Sequence, residues 1–275
     1  MSQRFPDLGD WLQTRDTLHA YSRLLGEVRR LLMPPHPRWW HISLELASQG
    51  LTTGQIPAPS EARVGNLELT LNLRRSRLAL GADGDPQHEL SLLAAPTDTE
   101  LGQEVVAWLR RLGIESGPER SLWVDDGERS YDPEAATRFL RALLEVEKVF
   151  ERVRSTLSGE TGPIQLWPHH LDLSFEWFGS RRVEYEEEGE ARETSAQIGF
   201  GFSTGDDSHP EAYFYATPSP FEEPFLEGSL PAGARWQIEG WQGGLLPYTL
   251  VRRGGPEALS GFLRAVYETA APHLS

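Results

Sequence analysis

Cysteine is absent from this chain, lysine occurs once, at Lys148, and methionine twice. Without cysteine there are no disulfides, thiol nucleophiles, zinc fingers or iron–sulfur clusters. With one lysine, Schiff-base and phosphate-loop chemistry is confined to that position. Positive charge is also scarce: 26 Lys and Arg face 41 Asp and Glu, a net charge of −15. Such a field disfavours nucleic acid and anionic membranes and suits a cationic or neutral small molecule as partner. No apolar run approaches the roughly 18 residues that a membrane-spanning helix needs. The segment from Met1 to Asp7 lacks the apolar core of a signal peptide, so a cytoplasmic protein is expected. The spacings H-E-x-x-H, G-x-x-x-x-G-K-[ST] and G-x-G-x-x-G do not occur.

What the chain has in quantity is aromatic side chains: nine Trp, seven Tyr and eleven Phe among 275 residues. Each can bury about 150–250 Å², so aromatic-rich cores or pockets are expected. The length allows one large domain or two smaller ones.

Periodicity supplies the elements. Leu18, Tyr21, Leu24, Leu25, Val28, Leu31 and Leu32 fall on one face of a helix from Asp10 to Met33, closed by Pro34-Pro35. Trp39 to Leu46 alternates as a half-buried strand. A loop from Gly50 to Ser60 precedes strands at Leu67–Leu73, Arg77–Leu80 and Glu89–Leu93. Thr97 with Glu100 is a capping box that opens a helix to Leu112. A connector follows, with a short strand at Leu122–Val124. Asp132-Pro133 starts a helix to about Leu157, Asp as N-cap and Pro at the first helical position. Trp167 to Phe178 reads as one long strand, and Glu184 to Glu193 as a solvated acidic loop. Strands at Gln197–Ser203 and Ala212–Ala216 flank a turn at Asp206–Pro210. A hairpin from Trp236 to Val251 turns at Gly243-Gly244, and Pro256 opens a final helix.

Each half thus runs helix, strands, helix. Leu18, Tyr21, Leu24, Leu25, Val28 and Leu32 fall on Leu143, Val146, Val149, Phe150, Val153 and Leu157 at a constant offset, and each long helix leads to a Trp/His-rich strand. The expected fold is α+β: two α-β-β-β-β-α pseudo-repeats, residues 1–129 and 130–275, forming one compact unit of largely antiparallel sheet with helices on one side.

Chemistry-capable side chains concentrate in Trp167-Pro168-His169-His170-Leu171-Asp172 and the residues after it. On a strand, His170, Asp172, Ser174 and Glu176 would share one face. His170 and Asp172 would then be close enough to hold a divalent metal, completed by His209 or His41, with Glu211 or Glu176 as the base of a hydrolase. An ordinary half-wet sheet shows the same alternation. His169, of opposite parity, suits the core. Gly199 and Gly201 leave one strand face bare, so that a neighbour can approach the backbone. Trp39, His41, Trp167, His170, Tyr213, Tyr215 and Trp236 are the candidates for an aromatic-lined ligand cleft between the repeats. Ligand binding is the first expectation, the metal-dependent enzyme the alternative.

Several strings together resemble the bacterial family catalogued as domain of unknown function 5996. They are Trp11 with Thr17-Leu18-His19, Trp39-Trp40-His41, Gly50-Leu51-Thr52-Thr53, and Ser130-Tyr131-Asp132-Pro133-Glu134-Ala135-Ala136. The second half adds Leu166-Trp167-Pro168-His169-His170-Leu171-Asp172-Leu173, Gly199-Phe200-Gly201-Phe202, Pro210-Glu211-Ala212-Tyr213-Phe214-Tyr215, and Leu246-Pro247-Tyr248. The resemblance spans nearly the whole chain. It implies a bacterial, soluble protein and brings no catalytic residues to carry over.

Overall fold

The computed structural model describes residues 4–187, 190–206 and 209–275. In chain order the elements are α1 (Leu12–Leu32), β1 (Glu45–Ala47), β2 (Gly50–Thr52), β3 (Ile56–Pro57), β4 (Asn66–Asn72), β5 (Arg77–Ala82), β6 (Asp85–Ser91), α2 (Asp98–Arg111) and α3 (Pro133–Arg154). There follow β7 (Glu160–Thr161), β8 (Gln165–Trp167), β9 (Asp172–Glu187), β10 (Glu190–Ser203), β11 (Tyr213–Ser219), β12 (Arg235–Gln237), β13 (Gly243–Pro247) and α4 (Tyr248–Leu274). Helices combine with antiparallel sheets, an α+β fold. No described helix is long and apolar enough to cross a membrane.

The chain divides into two compact units. The first comprises Asp7–Leu144 and Gln165–Leu171; the second comprises 4–6, Glu145–Ile164 and Asp172–Ser275.

In the first unit the sheet runs β1-β2-β4-β5-β6, with β3 beside β4. Period-two alternation buries Leu67, Leu69 and Leu71 of β4 and Leu78 and Leu80 of β5. Period-3.6 spacing buries Leu18, Tyr21, Leu24, Leu25 and Val28 of α1. The capping box at Thr97 and Glu100 is present with both hydrogen bonds, so α2 starts where the sequence places it.

The apolar face of α1 also carries a cation. Arg29 is 7% exposed. Its guanidinium donates to the carbonyls of His41 (3.1 Å), Trp40 (3.3 Å) and Thr53. Burial pushes its pKa down, and Glu45 opposes that shift. One side chain thereby satisfies three carbonyls of the irregular 40–53 segment. This explains a departure from the expected strand at Trp39–Leu46. Trp39 takes a left-handed conformation (φ 59°), Trp40–Ile42 form a 3-10 turn, and only Glu45–Ala47 pair as a strand. The carbonyls that a strand would give to a neighbour go to Arg29 instead. The expected loop at 50–60 contains β2 and β3, and the expected strand at 122–124 is replaced by a 3-10 turn at Arg120–Leu122.

In the second unit the sheet runs β12-β13-β11-β10-β9-β7. One face is aromatic: Phe175, Phe200, Phe202 and Phe214 are fully buried, with ring centroids near 5.1 Å for Phe175–Phe200 and Phe202–Phe214. Leu259, Phe262, Leu263 and Val266 of α4 are buried with them, and Gly244 leaves room for Phe262 and Val266 to approach the sheet. Each such ring contributes about 2–3 kcal/mol by leaving water. α4 begins at Tyr248 rather than continuing the expected hairpin to Val251. It breaks at Gly255 (φ 74°) and resumes at Pro256, the expected helix start.

The acidic stretch from Glu184 to Glu193 is not a loop. β9 and β10 pair through it, Glu184 opposite Glu193 and Tyr185 opposite Arg192; Glu188 and Gly189 lie outside the described residues. Cross-strand pairing offsets the charge: Arg182 lies 3.1 Å from Glu193 and donates to Ser195 Oγ (3.0 Å).

Replacing Arg29 with Met would leave its carbonyl partners unsatisfied. Arg29→Met is expected to lower unfolding stability by about 3 kcal/mol, read as a lower urea midpoint at unchanged slope.

Candidate functional site

The other face of the second sheet is polar, and strand parity builds it. On β9, Asp172, Ser174 and Glu176 point away from the phenylalanines. On β10 the same face carries Gly199, Gly201 and Ser203, and on β11 Tyr213, Tyr215 and Thr217. Ser174, Gly201 and Tyr215 lie in line across the three strands, as do Glu176, Gly199 and Thr217.

Gly201 is the hinge of this arrangement. A Cβ there would collide with the phenol ring of Tyr215, which lies flat across the strand. The ring crosses β10, and its hydroxyl donates to Asp172 Oδ2 on β9. Ser174 bonds the same phenol. Desolvation, then the Asp172 carboxylate, pushes the Tyr215 pKa well up, so the phenol stays protonated and acts as a donor. Asp172 is 7% exposed, a buried acid that accepts from the Tyr215 hydroxyl.

A second phenol repeats the scheme. Tyr213 donates to Asp206 Oδ2 at 2.7 Å, and burial followed by the bond to Asp206 raises its pKa. Its ring lies parallel to Trp241 (12°, centroids 6.1 Å), while Tyr215 meets Trp241 at 69° and 6.4 Å. His209 adds a fourth ring, 5.3 Å from Tyr213 and 6.4 Å from Trp241. Arg235 Nη2 lies 3.4 Å from His209 Nε2. Among the described residues, buried His209 Nδ1 and Trp241 Nε1 have no hydrogen-bond partner, and His209 Nδ1 lies 4.0 Å from Asp206 Oδ1. A buried polar group without a partner costs about 1–3 kcal/mol.

Of the remaining candidates, only Glu176 shares this face. Trp236 has opposite parity: it pairs with Gly244, and its indole donates to the Gly228 carbonyl at 3.0 Å. Glu176 is half-buried beside Gly199, and Glu211 is exposed ahead of β11. Trp39, 49% exposed, stacks on His41 at 5.6 Å. His41 is buried; its Nδ1 accepts from the His36 N–H at 3.1 Å, and burial lowers its pKa, helped by Arg29. Trp167, Trp39, His41 and His170 belong to the first unit, and the other candidates to the second.

The expected long strand from Trp167 to Phe178 is two strands. β8 ends at Trp167, the chain turns, and Leu171 takes φ 53° before β9 starts at Asp172. His169 and His170 sit in this turn, both exposed. His170 therefore has no strand parity with Asp172, and His169 is no core residue. Among the described residues no three His, Asp or Glu side chains group as a metal site.

One motif escapes the sequence reading. Gly201-Phe202-Ser203-Thr204-Gly205 has the G-x-S-x-G spacing of a serine-nucleophile elbow. An elbow needs a helix after the serine. Here a loop follows β10, Gly205 N–H donates to Ser203 Oγ at 3.1 Å, and Ser203 bonds Tyr213. Ser203 thus serves the phenol. Trp241, placed by the sequence at the end of a hairpin strand, instead stands in the β12–β13 turn as the centre of the ring cluster.

The family of unknown function DUF5996 matches residues 5–275. The chain belongs to this family. No curated protein and no solved structure matches it. The polar face of this DUF5996 protein brings together two protonated phenols, the carboxylates of Asp172, Glu176 and Asp206, and an indole, around a strand with no side chains of its own at Gly199 and Gly201.

Gly201→Ala is expected to push Tyr215 off Asp172 and destabilise by about 1–3 kcal/mol. Gly199→Ala meets only the end of Thr217 and should cost less; urea titration compares the two. At the turn, desolvation, then the neighbouring His170 and His19, pushes the His169 pKa down to about 4. The unfolded chain binds that proton near the ordinary 6.5. Stability should therefore fall as pH drops from about 6.5 to 4, and His169→Gln should flatten that part of the stability–pH curve.

Proposed function

We propose that this DUF5996 protein binds a small organic cation at the tyrosine–carboxylate face of the second sheet. The observation that carries this reading is Tyr215, laid across Gly201 and anchored on buried Asp172. Around it stand the faces and edges of Tyr213, Trp241 and His209. Aromatic rings attract a cation through their quadrupoles, by about 0.5–2 kcal/mol per contact. Asp172, Glu176 and Asp206 add acceptors for ammonium N–H groups. Protonated phenols supply rigid contact area without adding charge. The net charge of −15 raises the local concentration of a cation before it docks.

The reading is tested by calorimetric titration with choline and putrescine, and with succinate as a charge-reversed control. Saturable binding of at least one cation is expected. Trp241→Ala and Asp172→Asn should each weaken it about tenfold, or 1.4 kcal/mol. Equal binding of succinate, or unchanged affinity in both variants, would sink the proposal.

A further inference from the structure

We propose a second ligand site in the first unit: an open groove of about 430 Å³ between α2 and residues 117–123, suited to an organic carboxylate with an apolar body. Its apolar wall is Val106, Ala107, Pro118 and Trp123, and its charged members are Arg110 and Arg120. The volume lies within the usual range of small-molecule sites, about 300–1,000 Å³.

The wall is fixed in place. Trp123 is 8% exposed. Its ring lies against Gly102 of α2, where a Cβ would collide with it, and its Nε1 donates to the Pro118 carbonyl at 3.1 Å. The indole thus ties the 117–123 segment to the helix and gives the groove a flat apolar side. No reorganisation is needed to present it.

The charge pattern selects the occupant. Neither Arg110 nor Arg120 forms an ion pair among the described residues, and no carboxylate lines the groove. Nearby, Arg129 is by contrast clamped by Asp98 at 2.8 and 2.6 Å and reaches Asp125 at 3.0 Å. Two arginines beside an apolar wall, in a chain with 41 acids and 26 bases, are complementary to one carboxylate on a hydrocarbon or aryl body. A polyanion such as nucleic acid is opposed by the surrounding negative field.

The test uses octanoate as the probe, with octylammonium and octanol as charge-reversed and uncharged controls, titrated calorimetrically into the full chain. Octanoate should bind saturably and octylammonium should not. Arg110→Gln/Arg120→Gln, both exposed and outside the core, should weaken octanoate about tenfold or more, whereas Trp241→Ala in the second unit should leave it unchanged. Circular dichroism checks that the double variant is folded. The proposal is overturned if octanoate fails to saturate, if octylammonium or octanol binds as well, or if the folded double variant keeps wild-type affinity.

Discussion

One missing side chain organises the second sheet. Because position 201 has no Cβ, the Tyr215 ring can lie down on β10 instead of standing off the sheet, and its hydroxyl reaches a carboxylate two strands away. In an ordinary antiparallel sheet, side chains interact with the strand next door. Here the middle strand becomes a floor, and β9 and β11 meet over it. Asp172 is buried against a donor that cannot leave as an ion at neutral pH, because burial and the carboxylate itself hold the phenol protonated. The arrangement fixes an acid in place through a neutral donor.

The two faces of that sheet divide the labour. The phenylalanine face, with α4 against it, supplies apolar burial of about 2–3 kcal/mol for each ring. The polar face spends some of that margin on buried Asp172 and on the Trp241 and His209 nitrogens that lack a hydrogen-bond partner among the described residues. In the first unit the buried ion has the opposite sign. Arg29 is matched to carbonyl dipoles of an irregular segment, and its role follows from backbone accounting: carbonyls outside a ladder need donors.

Much of this was legible in the sequence. Apolar periodicity and the Thr97/Glu100 and Asp132-Pro133 signals placed the helices, because those signals are local. Parity put Asp172, the bare glycines and the two tyrosines each on one face of its own strand, and the register of β9, β10 and β11 aligns those faces. What failed depended on single backbone angles or distant donors. Leu171 and Trp39 adopt positive φ, which neither residue type announces, and a strand reading carried through both. Arg29 lies on the apolar face of a helix, where a sequence reading looks only for leucines. The Glu184–Glu193 stretch reads as a loop because charge suggests water, yet charge of both signs on facing strands is compatible with a ladder.

Parity also explains why the double-histidine string does not share a strand face with Asp172. Its residues look like a cluster because they are adjacent in sequence, and adjacency brings side chains together only in a turn. The turn is there, and it sets His169 against His170 at 4.4 Å, exposed, with Trp167 alongside His169 at 5.8 Å. On a sheet, chemistry gathers instead from residues two apart on one strand and from register partners on the next. Asp172, Ser174, Tyr213 and Tyr215 meet that condition, whereas His170 does not. With no thiol and one lysine in the chain, a cation-binding face has carboxylates, phenols, imidazoles and indoles to draw on. The second unit's polar sheet face brings all four kinds together.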